Sequence, residues 1–257
     1  LYMGNVVRFD FGYSFFFNTP VTSLIAERLP ATLLLVFSAQ LLALVVGVVL
    51  GVISAQRPNG MLSHFVTLLA LFGYSAPVFW TGIMLLIGLS LMLPLFPVAG
   101  MVDARLMDAP MWRQYLDVLH HLLLPALTLA SIFLALYSRL CRASMLEVLG
   151  ADYIRTARAK GLTEREIVYK HALKNSLGPV VTLAGLQFSA VVSGAVLVET
   201  VFSWPGLGTL ALQSILARDT PTILGILFFS ALVVIVGNLL TDLVLRLIDP
   251  RIRSGGG

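Results

Sequence analysis

An all-α membrane protein with several spans is the fold class that this sequence predicts, on three observations. Hydrophobic residues make up 58% of the 257 and charged residues only 12%, with a mean hydropathy of +0.93. That leaves too little polar surface to wrap a water-soluble globule. The apolar runs are about 20 residues or longer and nearly unbroken, the length at which a helix crosses roughly 30 Å of hydrocarbon; barrel strands would alternate in segments of about ten. The basic residues are concentrated in a few of the connections between those runs.

Five spans follow in order. The first, 31–55, is entered by Pro30, whose missing N–H is harmless in a first turn, and is left through Gln56, Arg57 and Pro58. Gly47 and Gly51 within it form a small-xxx-small pair that lets another helix approach closely. The second, 63–93, holds Gly73 and Pro77 and is expected to be a kinked helix facing protein, where neighbours can satisfy the carbonyls that proline frees. The third covers 122–145, the fourth runs from Pro179 to 198, and the fifth covers 222–247.

Orientation follows from charge. Arg57, the stretch from Arg139 to Lys174 and the tail from Arg246 to Arg253 hold 12 of the 17 Lys and Arg residues. Alternation of five spans puts all three on one side, which is then cytoplasmic. Residues 1–30 become an outer N-terminal segment, 31–253 the transmembrane domain, 146–178 a cytoplasmic loop, and 94–121 and 199–221 outer loops. An outside N-terminal segment with no cleavable signal leads to the expectation that one upstream helix is missing. Residues 254–257, Ser-Gly-Gly-Gly, read as a linker or tag remnant. The single cysteine, Cys141, cannot form an internal disulfide and is expected to be an inert side chain near a cytoplasmic helix end.

The cytoplasmic loop carries the sharpest local signal. Thr163 followed by Glu166 is a capping box, so a short helix should start after Gly161-Leu162. Over 164–174 it lines up Ile167, His171 and Lys174, with Val168 and Ala172 beside them, as an apolar stripe bordered by Arg165 and Lys170. So short a helix needs partner or tertiary contacts, and a docking surface competes with a plain basic loop resting on anionic lipid.

Gly161, with Ala157 four residues before it and a return towards the membrane at Pro179, makes this loop resemble the EAA loop of ABC importer permeases. Arg155, Thr156 and Lys174 match the variant of one branch, the dipeptide, oligopeptide and nickel permeases. So do ERLPATL (27–33), SRLCRASMLEV (138–148), HALKNSLGPVVT (171–182), ETVFSWPGLG (199–208) and DPRIR (249–253). The resemblance, to the B-type permease, covers nearly the whole chain. It implies a type I importer permease fold of six spans, of which the first is absent here. It also implies a coupling helix that contacts an ATPase, carried over to Ala157, Lys160, Gly161, Leu162, Thr163, Glu164, Glu166, Ile167, Val168 and His171. The implied partners are a homologous second permease, two ABC ATPases holding Mg-ATP, and an external substrate-binding protein. The implied location is the bacterial inner membrane.

The chain's own chemistry is sparse. It has no G-x-x-x-x-G-K-[ST] to cradle phosphates and no nucleophile-elbow or H-E-x-x-H sequence, so no enzyme activity, cofactor, metal or nucleic acid is expected. His120 and His121 are adjacent, about 100° apart on a helix, and suit loop packing better than shared chelation. Gln187, Ser189, Ser193, Asn238 and Gln40 lie at membrane depth and should face protein or water, as pathway lining or interhelical bonds. Asp242 and Arg246, one turn apart, should pair. Glu199, Trp204, Pro205, Gly206 and Gly208 are expected in an outer loop that packs over the pathway or meets the binding protein, with a membrane-belt role as the alternative for Trp204. An ion-driven secondary transporter is the rival function class, disfavoured because Glu199 and Asp242 lie near span ends.

Overall fold

The computed structural model describes residues 11–106 and 108–248. A two-stranded antiparallel hairpin, β1 (Tyr13–Ser14) and β2 (Thr19–Pro20), opens the described chain. Helices follow: α1 (Val21–Gln56), α2 (Met61–Ser75), α3 (Val78–Met92, ending in a π-helical turn), α4 (Met111–Leu149), α5 (Asp152–Ala159), α6 (Glu164–Leu186, with a π turn over Ile167–Ala172), α7 (Phe188–Val201), α8 (Leu207–Leu216) and α9 (Thr220–Ile248).

Among the described residues three helices are long and apolar enough to cross a membrane: α1, α4 and the Thr220–Leu243 part of α9. α6 and α7 make a fourth as a pair bent by 54° at Gln187. The expected fourth span is therefore not straight, and Pro179 stands inside α6 rather than at a helix start. The expected second span is two helices, because Ala76, as the residue before a proline, is pushed out of the helical region, and Pro77 is extended at φ −59°, ψ 134°. A full break replaces the expected kink. The first helix begins at Val21, and Pro30 is interior to it. The polar stretch 22–29 looks like a loop from hydropathy, yet Val21 and Ile25, one turn apart, are fully buried and hold it helical.

The chain divides into two compact units. The first is drawn from the chain up to Ala39, Pro77–Leu129 and Ser189–Ile235. Its apolar centre is Phe11, Val21, Ile25, Leu207, Leu210 and Ile226, with the rings of Phe228 and Phe229 at 5.2 and 5.5 Å from that of Phe11. The hairpin is fastened to it by Asp219, whose carboxylate accepts from the hydroxyls of Ser14 and Thr222.

The second unit is drawn from Gln40–Ala76, Ala130–Phe188 and the chain from Val236. Here α1 lies against α4. A Cβ built on Gly51 would fall 2.6 Å from the Cβ of Cys141, so only glycine permits this approach. The Gly47/Gly51 pair is thus used inside the chain. Gln40 Nε2 donates to the Tyr137 hydroxyl (3.2 Å) and to the Ala184 carbonyl (3.1 Å), tying α1 to α4 and α6. For Gln40, the interhelical bond is what the structure shows.

Candidate functional site

The loop between α4 and α7 is a built object. α5 ends in a Schellman turn: Leu162 N–H donates to Ala157 C=O (3.3 Å) and Gly161 N–H to Arg158 C=O (2.9 Å). Gly161 sits at φ +82°, the left-handed value that glycine adopts without penalty. The spacing Ala157 to Gly161 is the first-to-fifth spacing of this motif. The capping box predicted from Thr163 and Glu166 is present: Glu166 N–H donates to Thr163 Oγ1 (3.3 Å) and Thr163 N–H to Glu166 Oε2 (3.0 Å). Arg158 forks onto Glu164 across the turn, at 2.7 and 3.3 Å, and Asn175 Nδ2 donates to the Tyr153 hydroxyl at 3.1 Å.

These bonds leave electrostatic traces in the loop. The Glu164 hydrogen bond raises Arg158 above its ordinary pKa, and the same bond lowers Glu164. Glu166 is lowered by the Thr163 hydroxyl first and the Thr163 N–H second. All three side chains are exposed.

The helix that starts at this cap is longer than expected, running on to Leu186, and its apolar stripe faces inwards. Ile167 and Ala172 are fully buried and Val168 nearly so, with α5 and its buried Ile154 packed against the same turn. Ile167 and Val168 therefore do not form the apolar docking contact expected of them; the chain covers them itself. The exposed surface is Lys160, Gly161, Thr163, Glu164, Arg165, Glu166, Tyr169 and Lys170, while Ala157, Leu162 and His171 are half-buried. Tyr169, 53% exposed, was missed because the expected stripe was phased on the wrong side of the helix.

Within the candidate spans, Ser189, Ser193 and Asn238 are exposed and Gln187 is half-buried at the break between α6 and α7. Ser193 bonds back to the Ser189 carbonyl at 3.0 Å. The Asp242–Arg246 pair falls outside the described side chains, as 249–257, including DPRIR, falls outside the described residues.

The ETVFSWPGLG segment differs most from expectation. Glu199 is fully buried and accepts from the Thr32 hydroxyl (2.6 Å), Gly208 N–H (2.6 Å) and Thr209 N–H (3.2 Å). Its carboxylate thus caps the first turn of α8, where free N–H groups and the helix dipole favour an anion. Trp204, also fully buried, donates from Nε1 to the Ala31 carbonyl at 2.9 Å, and Thr32 Oγ1 accepts from Leu207 N–H at 2.7 Å. Gly206 and Gly208 are buried and Pro205 half-buried. These residues fasten α1, α7 and α8 together. They offer a binding protein almost no surface, and Trp204 is not a belt anchor. Thr32 has no sequence signal beyond its place in the 27–33 match.

His120 and His121 turn apart, their rings 6.5 Å and 80° from each other. His120 Nε2 bonds the Leu95 carbonyl and His121 Nδ1 that of Asp117, each at 2.9 Å. Among the described residues no group of three His, Cys, Asp or Glu could hold a metal ion. His64 is exposed and bonds the Gly60 carbonyl, and Cys141 is fully buried against α1.

Comparison with known proteins agrees with this architecture. The chain is 42% identical over 252 residues to the oligopeptide transport system permease protein AppB of Bacillus subtilis (strain 168), covering 98% of this chain and 78% of that one. It is 43% identical over 265 residues to the dipeptide transport system permease protein DppB of Haemophilus influenzae, covering 98% and 79%. Among solved structures, an inward-facing MetNI methionine ABC transporter chain superposes with a TM-score of 0.68 at 18% identity, over 88% of this chain and 96% of that one, a likeness of fold. Residues 47–254 match the family described as binding-protein-dependent transport system inner membrane component. With that match over most of its length, the chain belongs to this family and is a permease subunit of an ABC transport system, not its catalytic subunit.

Proposed function

We propose that this permease imports peptides, forming half of a pathway shared with a homologous second permease, driven by two ATPases that bind Mg-ATP and supplied by an external binding protein. Both relatives named above are peptide permeases. In this reading α2 and α3 form one broken crossing, which restores five spans, with the chain before α1 outside and the 146–178 loop and the C-terminus in the cytoplasm. The single observation that carries the coupling role is the loop's construction: a Schellman turn, a capping box and an Arg158–Glu164 fork hold a charged surface rigid on a helix that continues to Leu186. Rigidity is what force transmission from a closing ATPase needs. Moving a switch from 1:99 to 99:1 takes about 5.5 kcal/mol of differential binding, a quantity nucleotide-driven closure can supply. Ser189 and Asn238, polar and uncovered, face the pathway or the second permease, since lipid leaves such groups unsatisfied; Ser193, on the same helix as Ser189, already satisfies its hydroxyl on the Ser189 carbonyl.

Uptake of a labelled dipeptide and a labelled oligopeptide by cells with and without the gene tests the substrate class. Tyr169→Asp combined with Arg165→Glu tests the coupling surface: the protein should insert and assemble, while uptake falls at least tenfold. Normal uptake by that variant would remove the coupling role from this surface, and loss of a different solute alone would remove the peptide reading.

A further inference from the structure

Within the second unit, the end of α1, the end of α4 and the start of α6 line a cleft of about 740 Å³, whose wall on the α6 side, Glu164, Arg165 and Tyr169, belongs to the coupling surface, while the wall on the α1 and α4 side does not. Its apolar part includes Leu146, Leu149 and Val168, and its rim carries Arg57, Arg158 and Arg165. Glu164, also on the rim, is engaged by Arg158 at 2.7 Å. Arg57 and Arg165 have no side-chain hydrogen bond or ion pair among the described residues, so the cleft presents two unmatched guanidinium groups. A second cleft, of about 450 Å³, shares Gln56 and Arg57 with the first and is lined beyond them by Ile53 and Met61. Met61 is 91% exposed and Phe65, one turn on, 59% exposed.

We infer that the two clefts together bind an anionic phospholipid, its phosphate on Arg57 and Arg165 and an acyl chain along Ile53, Met61 and Phe65. A guanidinium fork matches phosphate oxygens with two parallel hydrogen bonds, and a juxtamembrane Arg adds electrostatic attraction to an anionic leaflet. The alternative occupant, an acidic segment of an ATPase, would use the arginines but leave the adjoining exposed apolar trough unfilled. A lipid fills both. The inference rests on membership of the membrane family and the charge-based orientation; it shares Arg165 with the coupling surface, so ATPase co-purification is read beside lipid retention to tell the two apart.

The test uses the full-length protein, with the subunits that co-purify, in nanodiscs of phosphatidylcholine doped with phosphatidylglycerol. Lipid retained after delipidating washes is identified by mass spectrometry. The parent should retain phosphatidylglycerol selectively; Arg57→Gln/Arg165→Gln should lower that retention by an order of magnitude, with phosphatidylcholine unchanged and Arg57→Lys/Arg165→Lys in between. Soluble glycerol phosphate or inorganic phosphate at matched concentration should not displace the lipid. If either soluble anion displaces it fully, the site is a phosphate site and the lipid assignment fails. Unchanged retention in the Gln variant together with loss of ATPase co-purification would make the cleft an ATPase contact and overturn the inference, as would equal retention of both lipids by the parent.

Discussion

Ile167 and Tyr169 are two positions apart, and one is fully buried while the other is half exposed. That difference separates folding from coupling in mutagenesis. Ile167→Asp puts an unpaired carboxylate into a covered site, at a cost of about 3 kcal/mol or more, and should lower the amount of inserted protein rather than produce an assembled but uncoupled one. Immunoblots of membrane fractions against the Tyr169 variant check this, and equal levels of the two would contradict the burial. Glu199 offers a second residue-scale test. In Glu199→Ala, the Thr32 hydroxyl and the Gly208 and Thr209 N–H groups lose their acceptor together, each at about 1–3 kcal/mol if left unsatisfied. The thermal midpoint of the solubilised protein should fall well below that of the parent; a shift no larger than that of an exposed control such as Thr200→Ala would refute the clamp.

At the scale of elements, the loop depends on two caps placed back to back. Gly161→Ala forces a Cβ into φ +82°, costing about 1 kcal/mol, and Thr163→Ala removes an N-cap worth roughly 0.5–2 kcal/mol. Each should speed amide exchange over 160–167 while leaving the middle of α4 protected. Unaltered exchange would mean that the packing of α5 on the Ile167–Ala172 turn holds the loop unaided. The α1–α4 contact is tighter still: Gly51→Leu should abolish accumulation in the membrane, and Cys141→Ala should not restore it, because alanine keeps the Cβ that lies 2.6 Å from the added one and the Ser138 carbonyl lies at 2.9 Å.

For the whole molecule, the open quantity is orientation. Cys141 cannot report it, being buried and therefore silent to any aqueous reagent. A cysteine at Tyr169 should label with an impermeant thiol reagent only in inside-out vesicles, and one at Phe16, 62% exposed in the hairpin turn, only in intact cells. The reverse pattern would invert the positive-inside reading and move the coupling loop to the wrong face of the membrane.

The all-α membrane class and the capping box were legible in the sequence because they rest on composition and on residues within one turn of each other, and the family was legible from short motifs that follow in order along the chain. Helix starts and inward faces were not. In a span whose every side is apolar, core and lipid ask for the same residues, so periodicity carries little information about which face packs. Pro30 looked like a helix start until the burial of Val21 and Ile25 carried the helix past it. Glu199 looked like a loop carboxylate, and its acceptors' partners lie on Thr32, far away in the chain, and on the first turn of α8. The phase of Ile167 and Tyr169 was decided by α5 folding back onto the turn. Local chemistry set the capped ends, and long-range burial set what those helices turn inward.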